Sequence, residues 1–360
     1  MSVQIYPSLE SLPERVVAFV GEAERRSFFH GIPWYRALYA TACPDGDEPR
    51  IYVAEREGRP IATLIARERW RAGTFRTHML LSVSHIMYTW DYGPILDAGE
   101  GLAGLSEIVD AIAAASPAFD VLRFDSMDPY SPGFTAMVAG FRSQGFLVQP
   151  FKNFGNWFDN VEGQSSDAYL ANRSSQTRYA IGRRIRSLAR SGRGRYELVT
   201  GGPKLEQAVA DYERVAVQSW KDEEPCPGCV PAVVHMAAKA GALRLGIYYI
   251  DNEPAAAQIW IVHGGRATIF RLSYAEKFGK LSVATALTWE IMRHVLDFDK
   301  PREIDFARGD DEYKKKWLPQ RREKWGMLVF NPHTAKGLVI AAKNLIGHRV
   351  MMILRRWPSL

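Results

Sequence analysis

The chain has 360 residues, 47% of them hydrophobic and 24% charged, with a formal net charge of +6 at pH 7. This length exceeds one ordinary core and predicts two domains, while the mild positive charge favours acidic or phosphorylated partners or a basic surface without any. Three cysteines exclude a disulfide framework and favour a reducing compartment.

Residues 1–160 are predicted to form a first domain in which helices and strands alternate. The predicted helices cover 12–25, 33–39, 101–115 and 133–143, and the predicted strands cover 50–56, 60–68, 78–86, 121–125 and 145–158. Met1–Val20 lacks a basic start followed by an apolar core, so no signal peptide is expected and a cytoplasmic location is predicted.

An acidic, Gly- and Ser-containing stretch at Asp159–Ser166 predicts the domain boundary, and residues 161–331 form the second predicted domain. Its predicted helices cover 166–190, 203–220, 230–240 and 281–298, and its predicted strands cover 196–200, 243–250, 254–262, 266–274, 303–307 and 324–330. The two halves share an order of helices, meander, helix and strand, which indicates a duplicated fold.

Residues 332–360 form a basic tail with apolar residues on one face of a predicted helix. Such a tail suits association with an anionic membrane surface, or packing against its own domain. No apolar run approaches the ~20 residues that a helix needs to span a bilayer.

The start of the predicted helix at Leu281 suits a phosphate group. A helix N-terminus offers unpaired backbone N–H groups and the positive end of the dipole. Ser282 is the expected N-cap, and small Ala284 lets a ligand approach closely. We therefore predict that a nucleotide-tailed cofactor binds here, at Ser282, Val283, Ala284 and Thr285; the alternative is a capped helix that covers a sheet.

Candidate catalytic residues follow the strand at 303–307. Asp310, Tyr313 and Lys314 have the spacing i, i+3 and i+4, which places them on one face if they are helical. Asp310 is the candidate base and Tyr313 the candidate acid, and Lys314 would neutralise a phosphate or an oxyanion. Asp305 and Tyr274 are further candidates, and the alternative is a salt-bridged surface.

An arginine-rich stretch lies between Arg173 and Arg195 and contains no acidic residue. Apolar residues at helical spacing give it one packing stripe, so the remainder is basic. Arg178, Arg183 and Arg184 are predicted to meet a polyanion such as tRNA, an anionic glycan, an acyl-carrier protein or a membrane, or to be solvated. No ladder of aromatic residues accompanies them, so sequence-specific DNA binding is not expected.

Cys226 and Cys229 form a CxxC motif. A structural zinc site needs four ligands, and a second pair of cysteines is absent from the sequence. No metal site is therefore predicted, and the motif is interpreted as a loop with two free thiols.

These motifs resemble the GNAT-fold acyltransferases of the cellulose-biosynthesis acetyltransferase type, a two-domain group related to the Fem aminoacyl transferases. The group's motif Asp-Phe-x-Arg-Gly-Asp-x-x-Tyr-Lys-x-x-Trp is complete between Asp305 and Trp317. Its Ser-Pro-Gly-Thr-like helix start departs to Ser-Val-Ala-Thr at 282–285. A weaker match begins at Asp167 and ends at Arg184, so the resemblance covers roughly residues 160–330.

The resemblance implies an α/β protein with two GNAT-like domains, each a mixed, mostly antiparallel sheet flanked by helices. It implies transfer of an acyl group, acetyl in the first instance, from acetyl-CoA or another acyl-CoA to an amine or hydroxyl. A sugar in envelope or exopolysaccharide synthesis is the acceptor that the group's context suggests. Two alternatives stay open: a Fem-like transferase that uses aminoacyl-tRNA, and a non-catalytic binding module of the same fold.

Overall fold

A computed structural model describes residues 1–71, 76–83, 91–219, 224–226 and 228–344 of the chain. The ten α-helices with assigned bounds are α1 (Glu14–Arg26), α2 (Ile32–Thr41), α3 (Gly101–Ala113), α4 (Pro132–Ser143), α5 (Ser166–Ala171), α6 (Ser175–Ser191), α7 (Leu205–Val217), α8 (Cys229–Lys239), α9 (Val283–His294) and α10 (Lys314–Trp317). The strands in the described residues are β1 (Ser2–Tyr6), β2 (Asp47–Arg56), β3 (Arg59–Arg71), β4 (Thr77–Ser82), β5 (Ile95–Leu96), β6 (Val121–Met127), β7 (Leu147–Asn160), β8 (Gly194–Val199), β9 (Leu243–Ile250), β10 (Glu253–His263), β11 (Arg266–Tyr274), β12 (Glu303–Arg308) and β13 (Gln320–Phe330).

The chain divides into two compact units, and neither is continuous in sequence. The first unit comprises Met1–Ala23, Cys43–Asn153 and Glu323–Leu360, and the second comprises Glu24–Ala42 and Phe154–Arg322. The sequence predicts 24–42 and 154–160 in the first domain and 323–331 in the second, whereas their contacts place 24–42 and 154–160 in the second unit and 323–331 in the first.

In the first unit the strands follow the order β1-β2-β3-β4-β6-β13. Neighbouring strands are antiparallel except for β4 and β6, which are parallel. Helix α3 lies between β4 and β6 in the chain and packs on β2 and β3. The core of this unit is formed by residues such as Leu64, Ile108, Phe124 and Met137, which are fully buried.

In the second unit the order is β8-β9-β10-β11-β12-β7. Here β11 and β12 are the parallel pair, and α9 connects them. Each unit therefore has four antiparallel strands, a fifth strand parallel to the fourth, and an antiparallel sixth strand. This shared pattern agrees with the predicted duplication, and the predicted mixed, mostly antiparallel architecture with flanking helices is confirmed.

The sheet of the second unit is covered closely by α9. Strand β10 is buried from Pro254 to Ile261, as expected for a central strand covered on both faces. A Cβ atom at Gly246 of β9 would lie 2.5 Å from the Ile291 side chain of α9. Glycine at this position therefore lets the helix approach the strand.

The predicted helix over 166–190 is two helices, because Ser174 begins a new one. The Ser174 hydroxyl accepts a hydrogen bond from the Thr177 backbone N–H at 3.1 Å, which is the geometry of an N-cap. Arg178 donates to the carbonyls of Ala171 and Arg173 on the other side of the break. Helix α6 then packs on α9 through Ile181 and Leu188, which are buried.

Only the first part of the predicted basic tail lies within the described residues. Residues 335–344 are helical, and positions 345–360 lie outside the described residues. Among the described helices, none combines the length and apolar character that a membrane crossing requires.

Candidate functional site

A cavity of about 390 Å³ opens beside the start of α9 in the second unit. Its cationic lining comes from Arg183 and Arg184 of α6, from Arg193, and from Lys280. Its apolar lining comes from Leu188, Ile250 and Leu281. A cavity with an apolar wall and a cluster of cations suits a ligand that carries phosphate on an organic body.

The parallel strands β11 and β12 of the second unit separate towards their carboxyl ends. The β11–β12 pairing covers three positions, from Arg266 opposite Glu303 to Thr268 opposite Asp305. Strand β11 then continues to Tyr274 and β12 continues to Arg308. A crevice at the carboxyl ends of parallel strands, next to a helix N-terminus, is a common ligand position in α/β folds.

Ser282 occupies the predicted N-cap position, but it contacts the first turn of the helix through its backbone carbonyl and not through its hydroxyl. Its φ is 58°, in the left-handed region, and its carbonyl accepts from the N–H groups of Thr285 and Ala286 at 3.0 and 3.2 Å. Within the described structure its hydroxyl makes no capping hydrogen bond. The first N–H groups of a helix have no partner inside that helix, so this end of α9 suits an anion.

The four predicted cofactor-binding residues differ in their surroundings. Ser282 lines the cavity, and the Thr285 hydroxyl lies 3.4 Å from a guanidinium nitrogen of Arg184. Val283 is buried in the core, and the Ala284 carbonyl accepts from the Gln258 amide at 3.2 Å. Ser282 is therefore the one of the four that lines the cavity, while the Thr285 hydroxyl meets Arg184, which also lines it.

The fold also places the three arginines predicted to bind a polyanion in two different surroundings. Arg183 and Arg184 line the cavity at the start of α9, although about 100 residues lie between them and Thr285. Arg178 instead donates to backbone carbonyls at the α5–α6 break. The structure thus joins two predicted sites, the basic helix and the phosphate-accepting helix start, into one.

Asp305 is part of a buried polar cluster at a bulge in β12. Its side chain is 3% exposed and accepts from the Asn156 amide, the Arg322 guanidinium and the Ala307 N–H, each at 2.6 Å. Ala307 has a φ of 49°, and the pairing of β12 with β7 shifts between Asp305 and Arg308. Both oxygens of Asp305 are therefore engaged in holding this strand end.

Lys314 is buried beneath the same strand end. Its ammonium group donates to the carbonyls of Phe306 and Arg308 at 2.9 and 2.5 Å and lies 3.4 Å from Asp311. Burial lowers the pKa of the Lys314 ammonium below its usual range. The predicted shared face with Asp310 and Tyr313 is not helical, because α10 begins only at Lys314.

Asp310 lies at the surface in an ion pair that the sequence did not indicate. The Arg321 guanidinium donates to both of its oxygens, at 2.7 and 2.6 Å, and the Trp157 indole N–H donates at 3.1 Å. A Cβ atom at Gly155 would lie only 2.3 Å from this carboxylate, so glycine makes room for it. The hydrogen bonds from Arg321 hold the pKa of Asp310 below its ordinary value.

The two candidate tyrosines lie at the carboxyl ends of the diverging strands. Tyr313 is 40% exposed, its ring centroid is 6.5 Å from that of Phe306, and desolvation of its hydroxyl raises its pKa. Tyr274 is half-buried at the end of β11, with its ring beside Gly279. Both positions are compatible with proton donation, and the roles of these two residues remain predictions.

The corresponding helix start in the first unit is acidic. Helix α3 follows Glu100, and the Asp97 carboxylate accepts from the N–H groups of Gly99 and Glu100 at 3.0 Å. These backbone hydrogen bonds, that of Glu100 above all, lower the pKa of Asp97. Glu100 in turn pairs with Arg56 and Arg59. At the start of α3, a carboxylate therefore accepts hydrogen bonds from backbone N–H groups. At the start of α9, cationic side chains line a cavity instead.

The structure places one thiol of the CxxC motif in the core. Cys229 is fully buried at the first turn of α8, and burial raises the pKa of its thiol to about 11. Across the described part of the chain, no three His, Cys, Asp or Glu side chains come together in a way that could hold a metal ion.

Comparison with known proteins connects this architecture with acyl transfer. A family model described as an acetyltransferase (GNAT) domain matches residues 175–315, which include α6, the cavity and the strand β12. No curated protein matches the chain. Together with the topology, the match shows that the chain has a GNAT-type acyltransferase fold.

Several solved structures are similar over nearly the whole chain. The crystal structure of FemX has a TM-score of 0.63 at 11% identity and covers 91% of this chain and 97% of its own. The structure of L-PGS from Bacillus licheniformis has a TM-score of 0.55 at 12% identity, covering 94% and 98%. The C-terminal domain of a putative lysylphosphatidylglycerol synthetase from Agrobacterium fabrum has a TM-score of 0.54 at 13% identity, covering 92% and 96%. At these identities the similarity shows a shared fold.

Proposed function

We propose that the protein is an acyltransferase that moves an acyl group, acetyl in the first instance, from acyl-CoA to an amine or hydroxyl acceptor. The observation that carries this proposal is the cavity at the start of α9. Arg183, Arg184 and Lys280 meet a helix N-terminus there, in a region matched by the GNAT domain. Cations and free N–H groups in one place suit the diphosphate of CoA.

The reacting end of the donor would lie towards the carboxyl ends of β11 and β12. In direct transfer the acceptor nitrogen or oxygen attacks the thioester carbon, the C–S bond breaks, and the proton lost by the acceptor balances the departing thiolate. Tyr313 is the candidate donor of a proton to the thiolate because a phenol carries its proton at neutral pH, although desolvation raises the pKa of Tyr313 and so makes it a weaker acid.

Asp310 fits acceptor orientation better than general-base catalysis. Its lowered pKa makes its carboxylate a weak proton acceptor at neutral pH. The indole of Trp157 and the guanidinium of Arg321 fix its position, and the ring of Tyr313 follows three residues later. An aromatic surface beside a fixed carboxylate suits a sugar or an amine, which is the acceptor class that the family resemblance suggests.

Calorimetric titration with acetyl-CoA tests the donor site. We expect one binding event with Kd on the order of 10 μM, within the usual range for enzyme substrates. The variant Thr285→Glu places a carboxylate in the first turn of α9 and should weaken binding about tenfold or more. Thr285→Gln is the matched control, because it adds similar volume without charge.

Three outcomes distinguish the proposed acyl-CoA site from the two alternative functions. Equal binding to both variants would place the donor elsewhere. A wild-type protein that binds no acetyl-CoA, but binds aminoacyl-tRNA in a salt-sensitive manner, would favour the Fem-like alternative. Acetyl-CoA binding without any transfer, even when amines and sugars are supplied, would favour the non-catalytic module.

A further inference from the structure

Helix α6 carries a continuous exposed stripe that the donor site does not use in full. Tyr179, Arg183, Arg186 and Arg190 are spaced i, i+4, i+7 and i+11, so they share one face. This face is opposite the stripe formed by the buried residues Ile181 and Leu188 and the half-buried Ile185. Tyr179 is 64% exposed, and the three arginines are exposed. The stripe extends for about 16 Å along the helix axis.

The charge of this stripe is not balanced within the protein. In the described part of the chain no carboxylate pairs with any arginine of α6. The Arg178 and Arg190 side chains donate to backbone carbonyls, and Arg184 donates to the Thr285 hydroxyl. Just beyond the helix, by contrast, Arg193 pairs with Asp251 and Arg195 pairs with Glu197. Within the arginine-rich stretch 173–195, the positive charge that no described carboxylate balances is therefore confined to α6.

A strip of charge one helix wide favours a particular kind of partner. Packed helices lie about 8–10 Å apart, so an acidic helix could place its carboxylates along the whole stripe. A nucleic acid or a membrane would spread across a wider surface, where the basic residues Arg193 and Arg195 are already neutralised. Charge complementarity thus favours an acidic helical protein.

The stripe ends at the donor cavity, which suggests what such a partner delivers. Tyr179 and Arg183 belong both to the stripe and to the cavity lining, whereas Arg186 and Arg190 do not line the cavity. A ligand confined to the cavity would leave Arg186 and Arg190 without a role. A protein that docks on them could extend a flexible phosphate-bearing arm into the cavity.

We propose that the outer face of α6 docks an acidic helical carrier protein that presents the acyl group as a thioester on a phosphopantetheine arm. This inference rests on the proposed acyltransferase function and names its donor class. The acceptor amine or hydroxyl attacks the thioester carbon, the new C–N or C–O bond forms, and the C–S bond breaks. The proton lost by the acceptor balances the thiolate, so the carrier leaves as its free thiol.

The test measures binding of an acetylated acyl carrier protein, labelled with a fluorophore, to the full chain by anisotropy at low ionic strength. The double variant Arg186→Glu/Arg190→Glu should weaken carrier binding about tenfold or more. Free acetyl-CoA binding, measured by calorimetry, should change less than about twofold, since neither residue lines the cavity. Arg142→Glu/Lys239→Glu is the matched control, with the same change of net charge on other exposed helices.

Each outcome supports or overturns the proposal. Carrier binding that the α6 variant loses and the control retains supports it. If acetyl-CoA binds but the carrier does not, or if the α6 variant binds the carrier as well as wild type does, the docking proposal fails and the proposed function stands. If neither donor binds, both fail.

If an RNA duplex or phosphatidylglycerol vesicles bind through the stripe and the carrier does not, the partner class is wrong. Arg186→Gln/Arg190→Gln, with an intermediate loss expected, replaces the reversal if circular dichroism shows misfolding.

Discussion

Lys314 shows how a residue chosen for its chemistry can have a different position in the fold. A lysine four residues after a candidate catalytic aspartate suggests a free ammonium group, yet this one is 4% exposed and bonded to two carbonyls of the preceding strand. A buried ammonium is tolerated only where such acceptors surround it. Lys314 therefore holds the end of β12, from which the chain continues to Asp310.

We predict that Lys314→Met lowers the free energy of unfolding by about 1–3 kcal/mol, the usual cost of leaving buried polar groups unpaired. The carbonyls of Phe306 and Arg308 would lose their donor. Denaturant unfolding measures the change, with Lys315→Met as the control. Lys315 is exposed, as is the Glu312 it pairs with, so its loss should cost less than about 0.5 kcal/mol. Equal effects of the two substitutions would contradict the assigned role.

Strand β12 is organised around its bulge. The Asp305 carboxylate accepts a hydrogen bond from the Ala307 N–H. The Asn156 amide donates both to Asp305 and to the Ala307 carbonyl. These contacts hold Ala307 in a left-handed conformation that costs a non-glycine residue about 1–2 kcal/mol. Bulges of this kind commonly redirect a strand near a functional site.

Because Ala307 has a left-handed conformation, we predict that Ala307→Gly changes the free energy of unfolding little. Relief of that conformation offsets the greater entropy of glycine in the unfolded chain. Ala257→Gly is the control. Ala257 is fully buried and paired on both sides within β10, so its substitution should cost about 1 kcal/mol or more. A larger loss at position 307 than at position 257, by thermal or denaturant unfolding, would show that the bulge is not strained.

Sequence patterns predict the elements around the donor site better than they predict the site itself. The meander, α9 and β12 follow from local alternation, turns and spacing, and all three form. The ion pair of Asp310 could not be predicted, because Trp157 comes from a strand about 150 residues earlier and Arg321 is an isolated basic residue beyond the motif. The meeting of Arg184 with Thr285 depends likewise on tertiary packing of α6.

At the scale of the whole molecule, the two units share a topology but differ in the charge at the equivalent helix start. The start of α9 faces Arg184 and a cationic cavity. The start of α3 carries Asp97, whose carboxylate already occupies the N–H groups of Gly99 and Glu100. An anionic donor would be repelled by the carboxylates there. We therefore predict one donor site, at the start of α9.

The stoichiometry of donor binding tests this asymmetry. We predict that calorimetry yields one acetyl-CoA per chain and that Thr285→Glu weakens this single binding event about tenfold or more. Asp97→Asn/Glu100→Gln should leave both the affinity and the stoichiometry unchanged, since those residues belong to the unit without a donor site. Two sites per chain, or residual binding in Thr285→Glu that the first-unit substitutions abolish, would instead assign a donor site to the first unit.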